Sequence, residues 1–346
     1  MNIGQVIALA KEWVETYGSR IPGFCGAHLN GSLNYTPHDA PFSASSDVDI
    51  NVVLQGAQTG NPQDLPYKGL ILEYGSLSLE RYRSSELVLA DPELAANLAV
   101  DSILSDPIGI LAPLHTTVAK EYPRRKWVLA RCEAEKQQTR QGLERLQHAR
   151  SPVEAVSNLG AFFSAGLTGL IAVANLTPPT HRRCLILMKE LLEQHGRADL
   201  HEDVLKLLGF AHLHTVPVQA YLHDCAEAFD CAVRVTRTAV PFGFKLHAHV
   251  RPYFIEGTQE MIVAGYPREA MYWILAGVMI ANGAIQVDAS DDEKRYFQAK
   301  MNRLLSDMGW STLQDVTLRF ESAKTLADKV FQVADDMANR NSRITA

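Results

Sequence analysis

Apolar and polar positions alternate with two different periods along this chain. In residues 1–17, Ile3, Val6, Ile7, Ala10, Trp13, Val14 and Tyr17 recur at helical spacing with Lys11, Glu12 and Glu15 between them, which predicts an amphipathic helix. Those charges break up the apolar run a cleavable secretory signal needs. Pro22-Gly23 predicts a turn and residues 24–29 a short strand leading into Gly31-Ser32. Residues 33–45, with Asn34, Pro37, His38, Asp39, Pro41 and several serines, predict a loop. Residues 47–54, DVDINVVL, change to the strand period. Asp47 and Asp49 share one face of that strand, while Val48 and Ile50 take the other.

A second loop is predicted over residues 55–66. Residues 69–82, GLILEYGSLSLERY, predict either one bent strand or a hairpin about Gly75. In a continuous strand Ile71, Glu73, Gly75, Leu77 and Leu79 share a face, and a carboxylate within that apolar surface is informative. Glu80 joins the face only if Gly75 marks a bulge. Asp91-Pro92 predicts an N-cap followed by proline at N1, and Asp106-Pro107-Ile108-Gly109 a type I turn.

From about residue 115 strand signals nearly vanish. Helices are predicted over 122–149, 152–176, 181–195, 220–235, 268–284, 292–308 and 311–338, the last opening on a capping box read at Ser311-Thr312-Leu313-Gln314. Residues 244–255 predict a strand or an extended crossing segment. The expected architecture is an α+β N-terminal domain with a short mixed sheet over residues 1–114, then an all-α helical bundle over 115–346. The run 159–176 is the one stretch that raises the question of a membrane. It carries Ser164, Gly166, Thr168, Gly169 and Asn175 and is short for a span, so a buried bundle helix and no membrane partner are expected.

The 346 residues are 47% apolar and 21% charged with a net charge of −6, a balance that argues against a polynucleotide partner. Oligomeric state is not indicated. Cys25, Cys132, Cys184, Cys225 and Cys231 are scattered without a CxxC pair, as expected of reduced thiols in a cytoplasmic protein.

The chemistry concentrates at the strand over residues 47–54. Two anions on one strand face repel each other, and hard oxygen ligands favour Mg²⁺. The Gly31-Ser32 turn offers backbone N–H groups and a hydroxyl to a phosphate. The combination of Gly31-Ser32, Asp47-Val48-Asp49 on an apolar strand, and a later strand acid resembles the nucleotidyltransferase superfamily, which includes polymerase β. The order of a small α/β domain and a helical domain resembles its small-molecule, aminoglycoside-type members with a C-terminal helical domain.

This resemblance implies two Mg²⁺ ions held by Asp47, Asp49 and Glu73, with Glu80 the other choice for the third acid. It also implies an NTP as donor substrate, contacted by Gly31 and Ser32, and a hydroxyl of a small-molecule acceptor as the site of NMP transfer. Alternative readings are a nucleotide-binding or regulatory module without turnover, or transfer to a protein or RNA acceptor. Fourteen residues, 33–46, separate Ser32 from Asp47, somewhat more than the superfamily usually places there.

Arg182 and Arg183, at a predicted helix start, are candidate phosphate ligands because guanidinium pairs with phosphate in bidentate fashion; the alternative is a solvated basic turn, and Lys189, about two turns further along the same helix, has the same two readings. Arg124-Arg125-Lys126 is expected to be a solvated face. His212, His214, His247 and His249 lack the cysteine or spaced carboxylate that completes a zinc set. His28 either reaches a phosphate or packs, and Glu154 is a candidate general base.

Overall fold

The computed structural model describes residues 1–56 and 62–346 and divides the chain into two compact units. The first comprises residues 1–134, 176–180 and 342–346; the second comprises 135–175 and 181–341. A short mixed sheet followed mostly by helices is the architecture observed.

In the first unit, helix α1 (Ile3–Thr16) precedes β1 (Phe24–Asn30), β2 (Asp47–Leu54), β3 (Gln63–Tyr67) and β4 (Leu70–Ser78). Helices α2 (Ser85–Ala90) and α3 (Pro92–Leu98), strand β5 (Ile103–Ser105) and helix α4 (Leu111–Glu121) follow. The sheet order is β3-β4-β2-β1-β5, with β2 and β4 parallel and the other neighbours antiparallel. Of residues 69–82, Leu70–Ser78 form one continuous strand with β3 as its hairpin partner, and Leu79–Tyr82 turn into a 3-10 helix. The predicted loop 55–66 therefore contains a strand from Gln63 onward, while residues 57–61 lie outside the described residues. Alternation in β3 is masked by Pro66, which an edge strand tolerates, and the turn into β4 places Lys68 and Gly69 at positive φ.

The helix α1 covers one sheet face. Val6, Ala10, Trp13 and Val14 pack against Ala27, Leu29, Val48, Ile50, Val52 and Leu72, and Trp13 lies against Tyr74 with ring centroids 4.9 Å apart. The opposite face is covered over part of its length by Val88, Leu89, Leu94, Leu98, Leu111 and Leu114 of α2–α4, packed on Cys25, Val53 and Leu77.

The spacer 33–46 is strapped to the start of α1. His38 and Ala40 carbonyls accept the Gly4 and Ile3 amides at 2.8 and 3.0 Å, supplying partners to first-turn donors that an α-helix leaves unsatisfied. Asn2 and Gln5 complete a capping box there. Asp91 caps α3 as expected, accepting from the Glu93 and Leu94 amides, with Pro92 at N1.

The second unit is helical throughout its regular elements. Helix α5 (Arg125–Gln147) contains the boundary between the units. It is followed by α6 (Pro152–Asn158), α7 (Ala165–Ala174), α8 (Cys184–Gln194), α9 (Ala198–Leu208), α10 (Thr215–Val235), α11 (Arg251–Phe254), α12 (Glu256–Val263), α13 (Pro267–Asp288), α14 (Asp291–Asp307) and α15 (Leu313–Arg340).

Several expected boundaries move. The stretch 122–149 does not begin at Tyr122, because Tyr122 closes α4 and α5 starts at Arg125. The stretch 152–176 is interrupted by a π-turn over Leu159–Ser164. Helix α9 has no counterpart among the expected helices. Residues 244–255 are not extended but form short 3-10 turns and α11, since Val250, Tyr253 and Phe254 bury at helical spacing. The cap of α15 is Thr312 paired with Asp315, one residue later than the sequence placed it.

All nine residues from Gly166 to Ala174 are buried in α7. Gly166 and Gly169 permit this: a Cβ on Gly166 would stand 2.8 Å from the Thr139 amide, and one on Gly169 2.6 Å from a Glu135 carboxylate oxygen. Among the described residues, the helix long and apolar enough to cross a membrane is instead α13, 56% of whose apolar window is buried inside the protein. It packs along α10 through Gly277, where a Cβ would lie 2.8 Å from Cys225 Sγ. Phe254 and Trp273 stack beside this contact at 5.5 Å and 10°. All five cysteines are buried, and none forms a disulfide.

Candidate functional site

Strand register gathers the acids. Asp49 on β2 is paired with Glu73 on β4 on one side and with Asn30 on β1 on the other. Paired residues on adjacent strands share a face, and Asp47 joins them two residues along β2. Carboxylate oxygens of Asp47, Asp49 and Glu73 all lie within 4.8 Å of one another, and each residue is half-buried. Glu80 stands apart from this strand geometry: it lies in the 3-10 turn Leu79–Tyr82 and pairs with Arg83.

The position of the triad follows from how the face is covered. Toward the end of β2, Val53 is buried under α2–α4, together with Leu77 of β4. At the start of β2 the same face carries Asp47 and Asp49. Three like charges this close repel by about 3–4 kcal/mol per pair at the effective dielectric of a protein surface, a cost a divalent cation offsets. The donor set is three carboxylates without thiolate or imidazole, which fits a hard, oxygen-preferring ion such as Mg²⁺.

The Gly31-Ser32 turn lies beside Asp49. Gly31 adopts φ +80, and a Cβ there would stand 3.1 Å from Asp49 Oδ2, so both the left-handed backbone and the close approach require glycine. Ser32 begins a 3-10 turn through Tyr35 and is exposed. The Gly31 amide, expected to face a phosphate, donates instead to Asn97 Oδ1 at 3.1 Å. Within this pair, the Ser32 hydroxyl is the side-chain donor the turn presents.

His28 packs rather than reaching outward. It is buried, its Nδ1 donates to the Leu29 carbonyl at 2.9 Å, and Tyr82 Oη donates to its Nε2 at 2.8 Å. Burial pushes its pKa down from 6.5 to about 4 and pushes that of Tyr82 up. The neutral ring thus has one tautomer, set by a carbonyl that can only accept.

The candidate residues of the second unit lie on or beside its helices. Arg182 donates to the Tyr253 carbonyl at 3.1 Å and lies 4.9 Å over that ring. Arg183 is exposed at the N-cap of α8, and Lys189 pairs with Glu193 at 2.6 Å. Glu154 accepts from the Arg150 amide at 2.8 Å at the start of α6, a capping arrangement. His212 meets the Asp307 carbonyl at 3.0 Å, and His247 and His249 stack at 5.4 Å. Among the described residues, the trio arranged to hold a metal is Asp47, Asp49 and Glu73. In the first unit, Arg124 pairs with Glu121 at 3.0 Å, and Lys126 lies over Trp127.

Sequence reading did not single out Asn97. It is 3% exposed and lies 66 residues from the turn it contacts. The available signal was a polar residue three positions after Leu94 and next to Leu98, on the buried side of a short apolar helix.

No protein-family model matches the chain, and no curated protein matches it. Among solved structures, it is similar to the crystal structure of a nucleotidyltransferase-like protein from Exiguobacterium sibiricum 255-15, at 13% identity and a TM-score of 0.27, with 88% of this chain and 92% of that one covered.

Proposed function

We propose that this protein is a Mg²⁺-dependent nucleotidyltransferase that moves NMP from an NTP to a hydroxyl of a small-molecule acceptor. The observation that carries the reading is the convergence of Asp47, Asp49 and Glu73 within 4.8 Å, beside a glycine whose missing Cβ leaves room at Asp49. Asp47, Asp49 and Glu73 would hold the metal, two ions on the superfamily pattern. Bound there, the metal supplies neutralisation of the triphosphate and pyrophosphate charge and acidifies an acceptor hydroxyl.

The chain's own contribution is positioning, which is most of what phosphoryl transfer asks of a protein. Ser32 donates its hydroxyl to a phosphate oxygen, and Gly31 keeps the backbone close enough for that contact. Neighbouring strands hold the three carboxylates in fixed register. Arg182 and Arg183 remain proposed phosphate ligands. A small acceptor is favoured by the net charge of −6, which works against a polyanionic one; an aminoglycoside is one candidate by resemblance.

The test is pyrophosphate release from each labelled NTP with Mg²⁺ over a panel of hydroxyl-bearing acceptors. Release that requires an acceptor and disappears in Asp49→Asn supports the mechanism, and release that survives Asp49→Asn overturns it. Tight Mg-NTP binding with no release on any acceptor would instead identify a binding module.

A further inference from the structure

Five hydrogen bonds join the Gly31-Ser32 turn and the end of β1 to helix α3. Asn97 Oδ1 accepts from the Gly31 amide at 3.1 Å and from Asn34 Nδ2 at 2.9 Å. Asn97 Nδ2 donates to Asn30 Oδ1. Asn30 Nδ2 donates to Glu93 Oε1 at 2.7 Å, and Tyr35 Oη donates to the Ala96 carbonyl. Three of these partners flank or contain the turn, and Asn30 is the register partner of Asp49.

Helix α3 is itself tied to the strand carrying Glu73. Asp91, its N-cap, accepts from Arg81 at 2.6 Å, and Arg81 lies in the 3-10 turn that follows β4. The buried Asn97 amide is therefore the point where α3 meets the turn. An alanine there leaves the Gly31 amide and Asn34 Nδ2 without this acceptor and Asn30 Oδ1 without its donor. A carboxylate would keep the acceptor but lose the donor, so the amide matches all three contacts at once.

We propose that Asn97 is a positioning residue for nucleotide binding. It holds Gly31 in its left-handed conformation against Asp49, so that Ser32 is presented to the triphosphate. This rests on the nucleotidyltransferase reading. Asn97 touches neither metal nor nucleotide in this scheme, so its removal separates two affinities that a general loss of structure would lower together. The carboxylates remain on β2 and β4, and only the turn is released.

The experiment measures two constants for wild type and Asn97→Ala by calorimetry: Mn²⁺ alone, and each common nucleoside triphosphate as its α,β-methylene analogue in saturating Mn²⁺. Asn97→Ala is expected to weaken the analogue at least tenfold while Mn²⁺ affinity stays within threefold. Asn97→Ser, whose hydroxyl is one bond too short to span the same contacts, carries the same expectation if the alanine variant does not fold. Val14→Ala, in the core under α1, is the control for lost stability and is expected to keep both affinities.

Analogue affinity within twofold of wild type in a folded Asn97 variant overturns the proposal. So does an equal fall in Val14→Ala at matched loss of Tm. Wild-type protein that binds Mn²⁺ but no analogue overturns the nucleotidyltransferase reading itself, and this proposal with it.

Discussion

The two faces of strand β2 are made from alternate residues of one eight-residue segment, yet they do different work. Val48, Ile50 and Val52 are at most 1% exposed under α1. Asp47 and Asp49 are half-buried and meet Glu73. Burial on the first face stabilises the fold through apolar area removed from water. On the second face, charges are held close at an energetic cost, and the rigid strand beneath supplies the geometry. The core face thereby makes the acidic face possible, and substitutions on the two faces should fail in different ways.

The largest expected difference is in chemistry. Asp49→Asn should lower pyrophosphate release by a factor on the order of 10³ or more, since it removes a ligand on which charge neutralisation depends. Its Tm should stay at or above wild type because a repulsive pair is relieved. A fall in Tm comparable to a core variant would show that the acids are structural.

Next is the opposite failure. Ile50→Ala should cost about 2–5 kcal/mol in denaturant unfolding, through lost transfer energy and a residual cavity. The divalent-metal affinity of the molecules that remain folded should be unchanged. A selective loss of metal binding without a loss of stability would erase the distinction between the faces.

The pH dependence sharpens the comparison on the functional face itself. His28 pairs with Asn51, two residues along β1 from Asn30, the partner of Asp49, and is neutral with a pKa of about 4 against 6.5. Between those values the unfolded chain binds the proton and the folded protein does not. Stability from this group is therefore unaffected above pH 6.5 and falls as pH drops toward 4, by up to about 1.4 kcal/mol per pH unit. His28→Gln should flatten that portion of the stability–pH curve; an unchanged slope would mean that His28 is protonated in the fold.

Smaller effects follow at backbone positions. Gly31→Ala should cost about 1–3 kcal/mol, because φ +80 with ψ −155 is a backbone conformation essentially reserved for glycine, and it should weaken metal binding because its Cβ presses on Asp49. Thr312→Ala, in the cap of α15, should cost about 1 kcal/mol with no effect on metal or nucleotide. Urea unfolding and Mn²⁺ titration of both variants separate these cases.

Local chemistry left a clear record in the sequence for this protein. The strand period of DVDINVVL placed two acids on one face, the apolar surround of Glu73 marked a carboxylate with a reason to be there, and Asp91-Pro92 announced a helix start. The change from strand to helical periods announced an α+β region followed by helices. Each depends on residues within a few positions of one another, where covalent geometry sets which side chains share a face.

Long-range pairing could be decided only by tertiary structure. β2 and β4 run parallel in the register that puts Asp49 opposite Glu73, and Glu80 falls off the strand end. The spacer 33–46 follows the start of α1, and residues 244–255 turn helical because Val250, Tyr253 and Phe254 bury together. Asn97 takes the Gly31 amide that local reading had offered to a phosphate. Backbone donors and acceptors must be satisfied wherever the packed chain brings a partner, and that partner is chosen in space rather than by sequence distance.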